Sequence, residues 1–435
     1  MGQIAVVREG ILSTLDLARQ LLSEGRVAEA ERACEQVLEH TPNAVEALNV
    51  CAIASLRERR HDRAVELLER AVEVAPDDPV SQHNLGRAYE AAGRVHDAIE
   101  ALARAVRLRP VYHVARIRLA ALLEARGERD RAVLQYARSL EDAQRQGRWL
   151  DAAGTPASLR KMVERAVTTV RAHRAAALGA LVASLEGQYG RDAMARIAAG
   201  VRIYLKQQAP DYPDPRQQPT FFYVPGLPAT PYFDRTLFPW IDELEAQTGT
   251  IRAELLEVLD SAHGSERVFT SDELEQRNLR GDTGPVSWTG FYFYRYGEPR
   301  ADNRARCPGT AAAIDRLPLS RVPGHGPEVL YSVFKPGTHL LPHRGVTNTR
   351  VVGHLPLVVP ADCALNVGGE VHEWQEGRVV VFDDTYEHEA WNRSDRTRVV
   401  MIFDLWNPHL TEAECAAARD VVVDVSEFRL ATQQA

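Results

Sequence analysis

NLGRAYEAAGRVHDAIEALARAVRLRP, residues 84–110, sets two helix-forming stretches around a turn at Gly93 and closes on Pro110. Stepping outward by 34 residues finds the same pattern again. Prolines stand at Pro42, Pro76 and Pro110, and small residues at Ala18, Ala52, Gly86 and Ala120, and at Ala30, Ala64, Ala98 and Ala132. A turn position runs Gly25, Arg59, Gly93, Gly127, and an apolar one Leu17, Cys51, Leu85, Leu119. Registers sharing one period specify helix-turn-helix units, here roughly 11–44, 45–78, 79–112 and 113–146. The residue types have physical reasons: small positions let paired helices approach closely, Gly supplies the turn, and Pro ends the second helix.

This segment, 11–146, resembles the tetratricopeptide repeat family. It departs at Arg59, where Gly would be usual, and in the fourth unit, where Gln144 replaces the terminal Pro. The resemblance implies a solenoid whose concave face holds an extended peptide or a partner helix; self-association is the alternative. Residues 147–208 are Ala-rich with helical period and read as a helical connector or cap. Residues 209–233 carry Pro210, Pro213, Pro215, Pro219, Pro225, Pro228 and Pro231, too dense for regular structure, and read as the domain boundary. A helix is expected near 234–260. Residues 411–435 are left as a tail.

Length and composition bound the rest. A chain of 435 residues suggests two or three domains, and 45% apolar with 26% charged residues is ordinary globular usage. A net charge of −8 weighs against nucleic-acid and anionic-membrane partners, which favour basic surface. No apolar run is long enough to span a bilayer, and MGQIAVVREG lacks a signal-peptide core, so the expected location is cytoplasmic. Five scattered cysteines without a CxxC pair argue against a disulfide framework and against a thiolate zinc site.

Beyond the proline cluster the pattern changes to strands. WTGFYFYRYGE, EVLYSVFKPG, TRVVGHLPLVVP, CALNVGG, GRVVVFDD and TRVVMIFDLW are rich in β-branched and aromatic residues and bounded by turn formers. The expected fold class is thus multidomain α + β: an all-α repeat solenoid followed by a double-stranded β-helix, or jelly roll, over 234–410. Within it, His343 in LPHRG and His388 in FDDTYEHEAWN each adjoin a strand, and Arg398 follows the second by ten residues. Two imidazoles from neighbouring strands are the nitrogen half of a mononuclear iron site whose third ligand is usually a carboxylate. In the His-x-Asp arrangement that acid would stand at Gly345.

FKPGTHLLPHRGVTNTRVVGHLPLVVP at 334–360 and EWQEGRVVVFDDTYEHEAWNRSDRTRVVMIFDLWNP at 373–408 resemble the aspartyl/asparaginyl β-hydroxylases, which are iron(II) and 2-oxoglutarate dependent oxygenases. That family binds iron through two histidines without a carboxylate. The resemblance implies His343 and His388 as iron ligands, Arg398 and Ser332 at the distal carboxylate of 2-oxoglutarate, and His354 at its other carboxylate, with dioxygen (O2) as co-reactant. The family arginine two residues before that histidine is Val352 here, and Arg350, on the same face under strand alternation, is the substitute. His339, Asp383 and Trp391 read as architectural, and Asp384 as architectural or as orienting an iron ligand. Three functions are carried forward. The first is a hydroxylase of aspartyl or asparaginyl side chains in a peptide or protein recruited with the help of the repeats. The second keeps the oxygenase but acts on a free amino acid, a lipid or a natural-product intermediate. The third is a non-catalytic scaffold.

Overall fold

A computed structural model describes residues 2–261, 264–269, 277–280 and 287–435, with side chains from residue 13 onward except at 260 and 261. It divides into two compact units, residues 1–174 with 428–435, and residues 175–427.

In the first unit the 34-residue registers become four antiparallel helix pairs: α1 (Gly2–Ser23) with α2 (Val27–His40), α3 (Val45–Arg57) with α4 (His61–Val74), α5 (Pro79–Ala91) with α6 (Val95–Leu108), and α7 (His113–Ala125) with α8 (Arg129–Arg145). The small positions are where helices touch. Ala18, Ala30, Ala52, Ala64, Ala98, Ala120 and Ala132 are fully buried, and a Cβ on Gly86 would lie 2.6 Å from Leu102. Both departures from the repeat pattern have consequences. Without a proline at its end, α8 runs 17 residues where α2, α4 and α6 run 14. Arg59 occupies the turn with φ 59°, the left-handed conformation that Gly25, Gly93 and Gly127 adopt in the other units. A side chain there crowds the following carbonyl, so Arg59→Gly should raise stability by about 0.5–1 kcal/mol in chemical denaturation, and an unchanged midpoint would show that the turn carries no strain.

One expectation fails in this unit. Cys34 and Cys51, both buried, are joined by a disulfide between α2 and α3. Sequence spacing gave no hint of it, because it is the helix–helix packing that brings residues 17 apart within 5.9 Å at Cα.

A cleft of about 610 Å³ opens along α1, α3 and α5 and is lined by Asn49, Val50, Ile53, Arg57, Val80 and Asn84 among others. Its polar floor is tied together, with Asn84 Nδ2 donating to Asn49 Oδ1 and Asn49 Nδ2 to Ser81 Oγ, each at 2.7 Å.

The second unit begins within α9 (Ala157–Tyr189) and continues through α10 (Arg191–Tyr204). The proline-rich segment therefore lies inside this unit and does not mark its edge. Its prolines do exclude regular structure, yet its apolar residues Phe222, Val224 and Leu227 are buried with Leu185, Ile197 and Val421 in a shared core. Isolated bridges link it to the strands at Gln217–Tyr386, Phe222–Thr347 and Tyr232–Phe382. Residues 411–435 are likewise more than a tail, forming the helix Glu412–Gln434. The helix expected near 234–260 is two, α11 (Ile241–Ala246) and α12 (Thr248–Ser261).

Twelve strands follow among the described residues: β1 (Ser265–Arg267), β2 (Leu279–Arg280), β3 (Trp288–Arg295), β4 (Glu298–Pro299), β5 (Val329–Phe334), β6 (His339–His343), β7 (Arg350–Val358), β8 (Cys363–Val367), β9 (Glu370–Glu373), β10 (Val380–Phe382), β11 (His388–Asn392) and β12 (Arg398–Trp406). They form two antiparallel sheets. One is ordered β1-β3-β5-β12-β7-β10, with β4 beside β3, and the other β2-β6-β11-β8-β9. The eight strands from β5 onward run β5-β12-β7-β10 in one sheet and β6-β11-β8-β9 in the other, which is the strand order of a jelly roll. Strand alternation in the larger sheet feeds two cores. Val399, Met401 and Phe403 pack with Ile251 and Leu255 of α12, while Val400 and Ile402 pack with Leu365, Trp374 and Phe382 between the sheets. Among the described residues no helix is long and apolar enough to cross a membrane.

Candidate functional site

The site is built at the end of the jelly roll where β6 finishes and β11 starts. These strands are antiparallel neighbours, and their register sets His388 directly opposite His343. Cross-strand partners on one face bring side chains together, and the two imidazole centroids are 4.1 Å apart. Each ring is oriented by its own backbone: His343 Nδ1 donates to the Leu341 carbonyl at 2.8 Å and His388 Nδ1 to the Tyr386 carbonyl at 3.1 Å. A carbonyl only accepts, so the proton sits on Nδ1 in both rings and the Nε2 lone pairs remain for a ligand. Burial, with a smaller contribution from His343, pushes His388 down to about 4, so that ring is neutral at physiological pH.

Among the described residues no group of three His, Cys, Asp or Glu side chains could hold a metal, so an ion at this place would rest on two imidazoles. The place a His-x-Asp acid would fill is taken. A Cβ on Gly345 would lie 2.2–2.4 Å from the carboxylate of Asp384, and the Gly345 amide donates to the Asp384 carbonyl at 2.6 Å. Asp384 Oδ2 is ion-paired with Arg350, while its Oδ1 is buried without a hydrogen-bond partner. Gly345→Ala should therefore lose about 1–3 kcal/mol by overpacking, and the loss should shrink in an Asp384→Ala background; equal losses in both backgrounds would mean the two residues do not contend for one space.

A second group of residues lies deeper between the sheets. Arg398 pairs in register with Phe334 of β5, and its neighbour Val400 with Ser332. The Arg398 side chain is 1% exposed, and among the described residues no carboxylate compensates it. Its guanidinium lies 4.0 Å from the Phe334 ring centroid and 4.5 Å from that of Trp374, and its Nη1 reaches Ser332 Oγ at 3.4 Å. Burial pushes it down to about 9, an unusually low value for an arginine. Ser332 Oγ also accepts from Trp288 Nε1 at 2.9 Å. His354, opposite Ile402 of β12, lies with its centroid 5.7 Å from that of Trp374, and burial followed by the Arg398 charge holds it well below the usual imidazole range. Among the described residues, three buried polar atoms of this pocket have no partner: Arg398 Nε, His354 Nδ1 and Trp374 Nε1.

Five of the six residues singled out in the sequence thus fall into two adjoining groups, His343 with His388 and Ser332 with His354 and Arg398. The sixth, Arg350, is placed differently. Burial works against its charge, and ion pairs with Asp384 and with Asp404, the latter at 3.1 Å, restore it. Its fork is thereby committed to two protein carboxylates, which speaks against its standing in for the absent family arginine at a cosubstrate. His339 is paired with Glu389 at 2.7 Å and Asp383 caps Thr385, in keeping with architectural roles. The sequence reading missed Trp288, Phe334 and Trp374. A tryptophan in a loop, as Trp374 is, carries no periodic signal that could have flagged it.

Beside His388 a cleft of about 430 Å³ is lined by Pro215, Arg216, Pro342, Arg344, Asn366 and Glu389 among others.

A helical-repeat array joined to a jelly-roll domain with paired imidazoles and a cationic, donor-lined pocket defines the class of this protein. Residues 245–408 match the model of the aspartyl/asparaginyl beta-hydroxylase family, and residues 21–88 and 58–143 match tetratricopeptide repeat models. Residues 245–408 are therefore an aspartyl/asparaginyl β-hydroxylase family domain, and residues 21–143 are tetratricopeptide repeats. It is 36% identical over 181 residues to the ornithine lipid ester-linked acyl 2-hydroxylase of Rhizobium tropici, covering 41% of this chain and 61% of that protein. It is 32% identical over 198 residues to the aspartyl/asparaginyl beta-hydroxylase of Homo sapiens, covering 45% and 25%. It is 34% identical over 234 residues to the human aspartate beta-hydroxylase domain-containing protein 2, covering 52% and 60%. The chain thus spans from a quarter to about three fifths of the length of these relatives.

Proposed function

We propose that the jelly-roll domain is an iron(II)- and 2-oxoglutarate-dependent hydroxylase. The observation that carries the reading is the buried Arg398 guanidinium, which among the described residues has no carboxylate partner and stands among donors without acceptors. A cation held this way at a cost in solvation calls for a carboxylate ligand that a guanidinium fork can match. The residues also fit the metal: two imidazoles, each anchored through Nδ1, present Nε2 side by side. Bound iron, with dioxygen and 2-oxoglutarate as co-reactants, supplies the oxidising power that no side chain has. The chain's own residues do the rest. His343 and His388 hold the ion, Arg398 and Ser332 take the distal carboxylate of 2-oxoglutarate, and His354 stands toward its other end. Phe334, Trp374 and Phe382 keep bulk water from the pocket, and Asp384, set against Gly345, adds a negative charge that acts on His388.

For the substrate, the first reading is an aspartyl or asparaginyl side chain of a peptide or protein. The cleft on α1, α3 and α5, with its Asn49–Asn84 floor and Arg57, supports recruitment of an extended chain, since amide side chains match backbone hydrogen-bonding groups. The second reading is a lipid, favoured by the similarity to the Rhizobium tropici lipid hydroxylase. A cytoplasmic location belongs to both readings.

The test is direct. Anaerobically purified protein given iron(II), 2-oxoglutarate and air should form succinate, and omission of either iron or 2-oxoglutarate should stop it. Absence of succinate under all conditions, with no metal retained, would leave the scaffold reading. Addition of candidate peptides or ornithine-containing lipids should then increase succinate and add one oxygen, seen by mass spectrometry, to one class and not the other.

A further inference from the structure

We infer that Trp374 is a second anchor for the cosubstrate: its indole N–H donates to bound 2-oxoglutarate while its ring face holds the Arg398 guanidinium in place. The inference rests on the cosubstrate reading above and names a residue that reading leaves unassigned.

Trp374 follows β9 in the loop to β10, yet it is 6% exposed, turned inward among Phe382, Leu365 and Val352. An indole nitrogen is a donor and nothing else, so a buried one ordinarily finds an acceptor in the protein. The pocket contains an internal comparison. Trp288 gives its Nε1 to Ser332 Oγ at 2.9 Å, whereas Trp374 Nε1 is buried without a partner. The unpaired group is not isolated. Its ring centroid is 4.5 Å from Arg398 Cζ and 5.7 Å from the His354 ring, and Arg398 Nε and His354 Nδ1 are unpaired as well. Two unpaired N–H donors and an imidazole nitrogen around a net positive charge select an acceptor-rich anion, and a dicarboxylate supplies acceptors at both ends. The ring face has a separate duty. With Phe334 at 4.0 Å on Cζ and Trp374 at 4.5 Å, the guanidinium is flanked by two aromatic rings and kept from turning toward other acceptors.

The two duties come apart by substitution. Trp374→Phe keeps a ring for Arg398 and removes the N–H; Trp374→Leu removes both. With the full chain loaded with iron(II) under nitrogen, calorimetric titration with 2-oxoglutarate should show about tenfold weaker binding for Trp374→Phe, the loss of one hydrogen bond to a charged group, and a larger loss for Trp374→Leu. Iron affinity should stay unchanged in both. In the wild-type protein, the indole N–H proton resonance of Trp374 should move downfield when 2-oxoglutarate is added. This readout does not depend on the variants folding. Wild-type binding strength in Trp374→Phe, or a resonance that does not respond to bound 2-oxoglutarate, overturns the proposal and leaves the cosubstrate reading standing. Failure of the wild-type protein to bind 2-oxoglutarate at all overturns both.

Discussion

Replacing His343 and His388 together by alanine should abolish iron-dependent succinate formation, with activity falling to the level of the metal-free control. Most metal sites retain weak binding after one ligand is lost because others remain. Here the described residues offer two imidazoles and no third ligand, so the pair has no reserve. Each single variant should weaken iron binding by at least about 10–100-fold, since that is already the cost of removing a residue that merely orients a ligand. The fold should survive. His388 contributes one strand end to a sheet whose β8, β9 and β11 pairings do not depend on its ring. Iron affinity by competition with a chromogenic chelator, alongside circular dichroism, makes the measurement. Full iron affinity in the double variant would place the metal elsewhere and remove the basis of the proposed chemistry.

Arg398→Leu should have effects of opposite sign on stability and on binding. In the protein without cosubstrate, the guanidinium is buried with no carboxylate partner among the described residues, and its pKa is pushed down to about 9 by burial. Removing such a charge in favour of an apolar side chain should stabilise the free protein by about 1–3 kcal/mol, less whatever the Phe334 and Trp374 rings contribute. The same change should weaken 2-oxoglutarate binding about 100-fold or more, because two charge-assisted hydrogen bonds are lost at once. Iron binding should be unaffected, since Arg398 touches neither imidazole. Arg398→Lys should recover only part of the affinity, as a point charge does not reproduce the planar fork. Chemical denaturation and calorimetry read the two effects independently. A destabilised Arg398→Leu protein with unchanged cosubstrate affinity would make the residue structural and would remove the observation on which the function rests.

The residues that sequence reading placed correctly share a feature: their signal is local or periodic. Ala52, Gly86 and Ala120 recur because each helix pair meets its neighbour in the same way, and even the departures were informative. Arg59 keeps the left-handed turn at some cost, and Gln144 in place of proline lets α8 run on. The histidines were legible from the blocks around them. The direction of Arg398 was not. Residues 399, 401 and 403 are as apolar as 400 and 402 because both faces of that sheet are covered, one by helices and one by the opposing sheet, which erases the alternation that ordinarily marks inside from outside. Asp384 is 39 residues from Gly345, and the contention between its carboxylate and a Cβ there exists only once β6 and β11 are paired. The same holds for Arg350 of β7, whose commitment to Asp384 and Asp404 depends on the turn between β10 and β11 and on β12 meeting it, and for the Cys34–Cys51 bond.

By itself the sequence determined the helical repeats and the strand-rich second half, because periodicity and turn chemistry are written in neighbouring residues, while the two histidines were picked out by the family resemblance of the blocks around them. Only the tertiary structure decided that Arg398 is buried with no counter-ion among the described residues, that Asp384 fills the place an acid at 345 would take, and that the proline-rich segment packs into the second unit. Those facts depend on which distant residues share a desolvated space, and desolvation is a property of the assembled fold.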